Sequence, residues 1–234
     1  MTMIADNLHR VQVRIDDAVA AAARAPDSVQ LLAVSKTFGA DAVRTAFAAG
    51  QRAFGENYIQ EAVDKIHALA DLREQLQWHC IGPIQSNKTR LVAAHFDWVH
   101  TIDRVKIAQR LNDQRPPGLA PLQVCIQVNV DGGATKSGVD PDAAVALARE
   151  VAQLPQLQLR GLMCIPEPAP DFIAACAVFT RAKAIFDTMR AQGLALDTLS
   201  MGMSADLEAA IHSGSTLVRV GSAIFGSRSH AAPH

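Results

Sequence analysis

The sequence contains no apolar run near the roughly 18 to 20 residues that a membrane span needs, although 49% of its 234 residues are hydrophobic. Its start, Met1-Thr2-Met3-Ile4-Ala5-Asp6, lacks the basic and apolar regions of a signal peptide. These two absences predict a cytoplasmic protein with no membrane partner. Net charge is lacking too: 22 Lys and Arg stand against 23 Asp and Glu, so no global field exists to hold nucleic acid. Cysteine is scarce, and Cys80, Cys125, Cys164 and Cys176 form no CxxC pair. Three of them lie inside apolar runs, which predicts buried, reduced thiols and leaves the Asn87-Lys88-Thr89 sequon idle. No internal repeat, low-complexity tract or long linker divides the chain. What remains is a single globular domain, residues 1–234, suited to a small-molecule ligand.

Periodicity organises that domain. Apolar positions at helical spacing run from about Ile4 to Arg24, giving an opening helix within about residues 1–25. Strands are then expected near Leu31–Val34, Arg52–Phe54, Gln77–Ile81, Trp98–Thr101, Leu122–Val130, Gln158–Cys164, Thr198–Leu199 and Leu217–Val220. Helical stretches alternate with them at about Ala40–Ala49, Ile59–Ala70, Asn87–Ala94, Val105–Asn112, Pro141–Gln153, Phe172–Gln192 and Ala205–His212. Eight such units predict an α/β fold, a single (β/α)8 TIM barrel with an extra N-terminal helix and a frayed tail over about 227–234. An open doubly wound sheet is the alternative, but no GxGxxG follows the first strand.

A barrel carries its site at the C-terminal strand ends. There the sequence offers Ser35-Lys36-Thr37, Gly55-Glu56-Asn57-Tyr58, His79, Met163, the run Ser200-Met201-Gly202-Met203-Ser204, Arg219 and Gly221-Ser222. Lys36 directly ends an apolar strand. Desolvated in a barrel mouth, it can present a neutral amine that forms a Schiff base with an aldehyde, whereas on position alone an exposed strand-end lysine is the plainer reading. The small, flexible run after strand seven and the Gly221-Ser222 turn after strand eight both offer backbone N–H groups and a hydroxyl, and those two loops are the usual barrel phosphate site. The plain alternative makes Ser204 an N-cap for a helix beginning at about Ala205. A Schiff-base lysine and a phosphate cradle in one barrel point to pyridoxal 5′-phosphate.

Five segments carry a family resemblance: Leu32-Ala33-Val34-Ser35-Lys36; Phe54-Gly55-Glu56-Asn57-Tyr58; Trp78-His79-Cys80-Ile81-Gly82 with Gln85-Ser86-Asn87-Lys88; Ser200-Met201-Gly202-Met203-Ser204-Ala205-Asp206; and Val218-Arg219-Val220-Gly221-Ser222-Ala223-Ile224-Phe225-Gly226. In order, from about Leu31 to Gly226, they resemble the YggS/PROSC family, the pyridoxal phosphate homeostasis proteins. The resemblance implies a fold-type III barrel like the N-terminal domain of alanine racemase, with the cofactor held on Lys36 and its phosphate bound by Ser204 and the Gly221-Ser222 turn. It implies that Arg219 faces the pyridine nitrogen, or alternatively binds phosphate, and that Asn57, His79, Met163, Ser200, Met201 and Gly202 complete the pocket. One departure stands out: the family usually has Gly-His-Leu-Gln-Ser-Asn-Lys where this chain has Gly82-Pro83-Ile84-Gln85-Ser86-Asn87-Lys88. Pro83 stands in place of an imidazole that can hydrogen-bond and titrate.

Three functions follow. The first, favoured, is a cofactor-binding protein of vitamin B6 homeostasis without turnover of its own, a monomer whose protein partners are apoenzymes that use the cofactor or enzymes that make it. The second is an amino-acid racemase, which needs a second acid/base opposite the lysine; the lone tyrosine, Tyr58, lies in the second-strand motif, leaving His79 or a cysteine as substitutes. The third is a P-loop nucleotide enzyme, because residues 82–89 fall one residue short of GxxxxGK[ST]. Lys88 and Lys136 are additional amines at which the aldehyde can land.

Overall fold

The computed structural model describes residues 2–133 and 137–226; Lys136 and the tail after Gly226 lie outside the described residues. Eight parallel strands close into a barrel in chain order: β1 Gln30–Val34, β2 Ala53–Glu56, β3 Gln77–Cys80, β4 Trp98–Ile102, β5 Leu122–Gln127, β6 Leu157–Met163, β7 Thr198–Met203 and β8 Leu217–Val220. The seam is made by β1 and β8, in register from Gln30↔Leu217 to Ala33↔Val220. Around the barrel run α2 Ala40–Ala48, α3 Ile59–Ala68, α4 Thr89–His95, α5 Val105–Gln114, α6 Pro141–Val151, α7 Phe172–Ala191, α8 Leu207–His212 and α9 Ser222–Phe225, with α1 Met3–Ala21 ahead of them.

The two faces of each strand separate the core into layers, as period-two alternation requires. Leu31 and Ala33 of β1 join the large core beneath the helices. Leu32 and Val34 point the other way and cluster with Ala53, Ile81 and Leu217 inside the barrel, while Trp98, Cys125 and Met163 form a second interior cluster. α1 buries Leu8, Val11, Ile15, Ala18 and Val19 on one stripe and packs on α2, α8 and α9. It is tied there by polar contacts: Asn7 donates to the Ile224 carbonyl at 2.8 Å, and Arg14 donates to Glu208 at 2.7 Å and to the Ser204 carbonyl at 3.2 Å. The extra helix thus braces the β7 and β8 turns from outside.

Three local expectations require correction. The run Ser200–Met203 is not a loop: β7 continues through it to Met203. The sequence hides this because Gly202 takes φ 95°, a left-handed conformation that a side chain disfavours, and the β7–β8 register shifts between Ser200 and Met203. Ser204 does not cap α8. That helix starts at Leu207 with Asp206 as its N-cap residue, and the Asp206 carboxylate accepts the Met203 N–H at 2.6 Å. Third, Asn87 and Lys88 lie in a 3-10 turn, Ser86–Lys88, and α4 begins at Thr89. Thr89 is buried, and its hydroxyl bonds to the Ser86 carbonyl and Gln114. It is therefore withheld from the metal-binding role a P-loop gives it.

Candidate functional site

At the C-terminal mouth of the barrel a cavity of about 550 Å³ brings together Lys36, Asn57, Ser204, Arg219, Gly221 and Ser222, residues that come from β1, β2, β7 and β8. Val34, Thr37, Phe38, Ile81, Ile165, Met203, Ala205 and Gly226 complete the lining. Of these, Phe38 stacks on Phe225, ring centroids 5.2 Å apart. Neither Phe38 nor Ile165 was accessible to sequence reasoning through chemistry, since both are apolar wall residues; their only signal is position, within four residues of a strand end.

Lys36 sits in a tight turn. The Phe38 N–H donates to the Ser35 carbonyl at 3.1 Å, and the third residue of that turn, Thr37, has φ 69°. Glycine or asparagine normally supplies that conformation; for a β-branched residue it costs on the order of 1–2 kcal/mol. The strain is held by α3. The Thr37 N–H donates to Glu61 Oε1 at 2.6 Å. Lys65 Nζ donates to the Ser35 carbonyl at 2.9 Å, to Glu56 Oε1 at 2.5 Å and to Glu61 Oε1 at 3.2 Å. Ser35 Oγ donates to Glu56 Oε1 at 2.6 Å. Glu56 and Lys65 are both buried. Burial pushes the Glu56 carboxyl above its ordinary pKa, while Lys65 and Ser35 pull it back.

Arg219 lies on the floor of the cavity, 4% exposed. Its Nη1 donates to the carbonyl and the Oγ of Ser200, both at 2.8 Å, and its Nη2 to the Cys164 carbonyl at 2.9 Å. Burial pulls the guanidinium pKa down, yet an arginine remains charged. Behind it a polar chain crosses the barrel interior: Ser200 Oγ lies 2.9 Å from His100 Nδ1, and His100 Nε2 lies 2.9 Å from His79 Nδ1. A guanidinium only donates, so the Ser200 hydroxyl has its proton free for His100 Nδ1. His100 then carries its proton on Nε2 and gives it to His79 Nδ1, which leaves His79 with an Nε2–H. That nitrogen has no partner, and the His79 ring stacks on Trp98, 5.1 Å between centroids. Burial lowers the His79 pKa to about 3 and also holds His100 well below its ordinary value, with His79 and Arg219 adding to the effect.

His79, Met163, Ser200, Met201 and Gly202 do not line the cavity. His79, Ser200 and Met163 are in the barrel interior below it. Met201 faces outward into the core under the helices, and a Cβ on Gly202 would meet the Ala210 Cβ at 2.5 Å, so that glycine serves the contact with α8. Pro83 is exposed and outside the cavity. Cys80, Cys125 and Cys164 are buried free thiols, each pushed up to about 12 by burial. Tyr58 is 53% exposed and does not line the cavity. Among the described residues, Lys36 and Arg219 are the ionisable side chains on its wall.

These features fit pyridoxal 5′-phosphate. The amides of Ser222 and Ala223, at the start of α9, have no intrahelical acceptor. A Cβ at Gly221 would come 3.2 Å from the Val34 carbonyl, so the β8 turn approaches β1 closely where a side chain would crowd it. Asn57 Oδ1 is buried without a partner. A primary amine, a guanidinium and a cradle of amides and hydroxyls are the donor set that a phosphorylated aldehyde requires.

The family model "Alanine racemase, N-terminal domain" matches residues 7–229. The chain is 58% identical to the pyridoxal phosphate homeostasis protein of Pseudomonas aeruginosa over 233 residues, covering 100% of this chain and 99% of that one. It is 51% identical to the protein of the same name from Escherichia coli K12, covering 99% of each. Among solved structures, PipY of Synechococcus elongatus with PLP bound superposes with a TM-score of 0.82 at 38% identity, covering 95% of this chain and 100% of that one. An alanine racemase of Clostridium difficile superposes with a TM-score of 0.72 at 15% identity over 97% of this chain but 58% of its own. The last shows a shared barrel and no more.

Proposed function

Since the chain belongs to the pyridoxal phosphate homeostasis proteins, a family built on the alanine racemase N-terminal domain, we propose that it binds pyridoxal 5′-phosphate covalently on Lys36 and does not turn it over. The observation that carries this is the convergence of Lys36 with Ser204, Arg219, Gly221 and Ser222 on one cavity. When bound, the cofactor supplies an aldehyde carbon that takes up a primary amine with loss of water. Lys36 provides that amine from the β1 turn. Ser204 and the Gly221-Ser222 turn hold the phosphate through hydroxyls and backbone N–H groups. Arg219 keeps a positive charge at the cavity floor, which disfavours a proton on any basic nitrogen placed beside it and so weakens the electron withdrawal that amino-acid chemistry needs.

Absence of turnover is supported by what surrounds Lys36. Racemisation requires an acid/base on the face opposite the lysine. The substitutes the sequence offered, His79 and the cysteines, lie off the cavity, and burial keeps the histidine neutral and three of the thiols protonated. Our reading is that the chain stores or delivers the cofactor in the cytoplasm as a monomer, exchanging it with apoenzymes that use it or enzymes that make it. No described helix is long and apolar enough to cross a membrane.

The test is a visible spectrum of the purified protein with added pyridoxal 5′-phosphate, before and after borohydride, followed by identification of the labelled peptide. Label on Lys36 is expected; a colourless protein, or label elsewhere, refutes the assignment. Incubation of the loaded protein with L-alanine in deuterated water should leave the α-proton unexchanged, and accumulation of the D isomer would establish racemase activity instead.

A further inference from the structure

We propose that Glu61 and Lys65 of α3, backed by Glu56, are positioning residues for Lys36: they grip the peptide groups on either side of it and so fix the direction in which its amine leaves the backbone. This rests on the assignment of Lys36 above. The Ser35–Lys36 peptide is held at its carbonyl by Lys65 Nζ, 2.9 Å away, and the Lys36–Thr37 peptide at its N–H by Glu61 Oε1, 2.6 Å away. Glu61 and Lys65 stand four residues apart on one helix face and touch each other at 3.2 Å. The grip is therefore a closed loop of contacts around a single residue. Lys65 is anchored from below by Glu56 at 2.5 Å, a carboxylate buried completely. None of the three lines the cavity.

The need for a grip is visible in Thr37. Its φ of 69° is the wrong sign for a β-branched residue, and a turn left to itself would relax by rotating the Lys36–Thr37 peptide, carrying the lysine side chain with it. A lysine side chain multiplies any such rotation, because four methylenes separate its amine from the backbone. Charged groups grip the turn more firmly than neutral ones, since hydrogen bonds to ionised partners are roughly twice as strong.

The experiment compares the full chain with Glu61→Ala, Glu61→Gln, Thr37→Gly and the double variant Thr37→Gly/Glu61→Ala. Three quantities are read: exchange of the Thr37 amide in the cofactor-free protein, affinity for pyridoxine 5′-phosphate, which has no aldehyde, and the rate at which pyridoxal 5′-phosphate gives a borohydride-fixed label on Lys36. Glu61→Ala is expected to speed amide exchange at least tenfold and slow labelling about tenfold, with affinity for the alcohol analogue unchanged within twofold. Glu61→Gln keeps an acceptor oxygen and should recover most of the labelling rate. With glycine at position 37 the left-handed turn needs no support, so removing Glu61 in that background should slow labelling less than threefold. The proposal is overturned if Glu61→Ala labels Lys36 at the unsubstituted rate, or if labelling, analogue affinity and thermal midpoint fall together as for a general loss of structure. Label on a different lysine in the unsubstituted chain instead overturns the assignment of Lys36 itself.

Discussion

Lowering the pH should unfold this barrel earlier than its carboxylates alone would dictate, and His79 supplies a measurable part of the effect. The folded protein holds His79 neutral, with its pKa lowered to about 3 by burial, whereas an unfolded chain takes up the proton near its ordinary value of 6.5. A depressed folded-state pKa stabilises above the unfolded value and loses that contribution as pH falls towards the folded one. Each unit of pH in the window from 6.5 to about 3 therefore removes about 1.4 kcal/mol. Across the window the loss approaches roughly 4–5 kcal/mol, a large share of the about 5–15 kcal/mol a domain possesses. The perturbation is His79→Gln. Its amide oxygen can accept the proton that His100 Nε2 donates, the size is similar, and nothing titrates. At pH 7 the variant should be less stable by about 1–2 kcal/mol, mostly from lost stacking on Trp98. That deficit should shrink by about 1.4 kcal/mol for each pH unit below 6.5, so the two stability curves cross between about pH 5 and pH 6. Urea denaturation followed by far-UV circular dichroism, at half-unit steps from about pH 7.5 to 4.5, measures it. A deficit that stays constant across that range would refute the inference that the fold holds His79 neutral.

Two further outcomes follow from packing. In the native protein at pH 8, a disulfide reagent should leave Cys80, Cys125 and Cys164 unmodified, because burial both blocks them and keeps their thiols protonated; all four cysteines should react in denaturant, and fast native reaction of more than one would contradict the buried assignment. Gly161→Ala should lower the thermal midpoint by at least roughly 6–12 °C, equivalent to about 3 kcal/mol, since a Cβ there would fall 1.7 Å from the Thr198 carbonyl oxygen on the neighbouring strand; a variant melting within about 2 °C of the parent would show that β6 and β7 part without cost.

The barrel was legible because its strands, buried on both faces, read as short apolar runs and its helices as amphipathic ones. Leu217–Val220 has the same bounds in sequence and structure, and β4 gains one residue, Ile102. Legibility failed where backbone conformation overrides composition. Ser200-Met201-Gly202-Met203 has a turn's composition and is a strand, because Gly202 absorbs a register shift. The mouth residues Lys36, Asn57, Ser204, Arg219, Gly221 and Ser222 were found as polar or small residues at strand ends, and the family resemblance assigned Asn57 to the pocket. His79 was noted by position and assigned to the pocket by the same resemblance, but strand alternation sends it into the interior, where it meets His100 of the neighbouring strand. That partnership has no signature in sequence, since the two lie on different strands and no spacing rule connects them. The same is true of Glu61 and Lys65. On α3 they look like an ordinary exposed ion pair, and only the fold shows that Lys65 is buried against the turn that carries Lys36.

The seam between β1 and β8 also sets an order of events during synthesis. Lys36 leaves the ribosome early, while Arg219, Gly221 and Ser222 emerge last among the cavity-lining residues apart from Gly226. The cavity comes into existence only when the final strand pairs with the first, a contact of very long sequence separation and hence a late one in folding. A nascent chain exposing Lys36 has no phosphate cradle beside it, so the amine meets aldehydes in the cell without selectivity until the barrel closes. Formation of the cradle and completion of the fold are one step, and selective capture of an aldehyde on Lys36 follows it, so a cell short of the cofactor should accumulate closed, empty barrels rather than half-built ones.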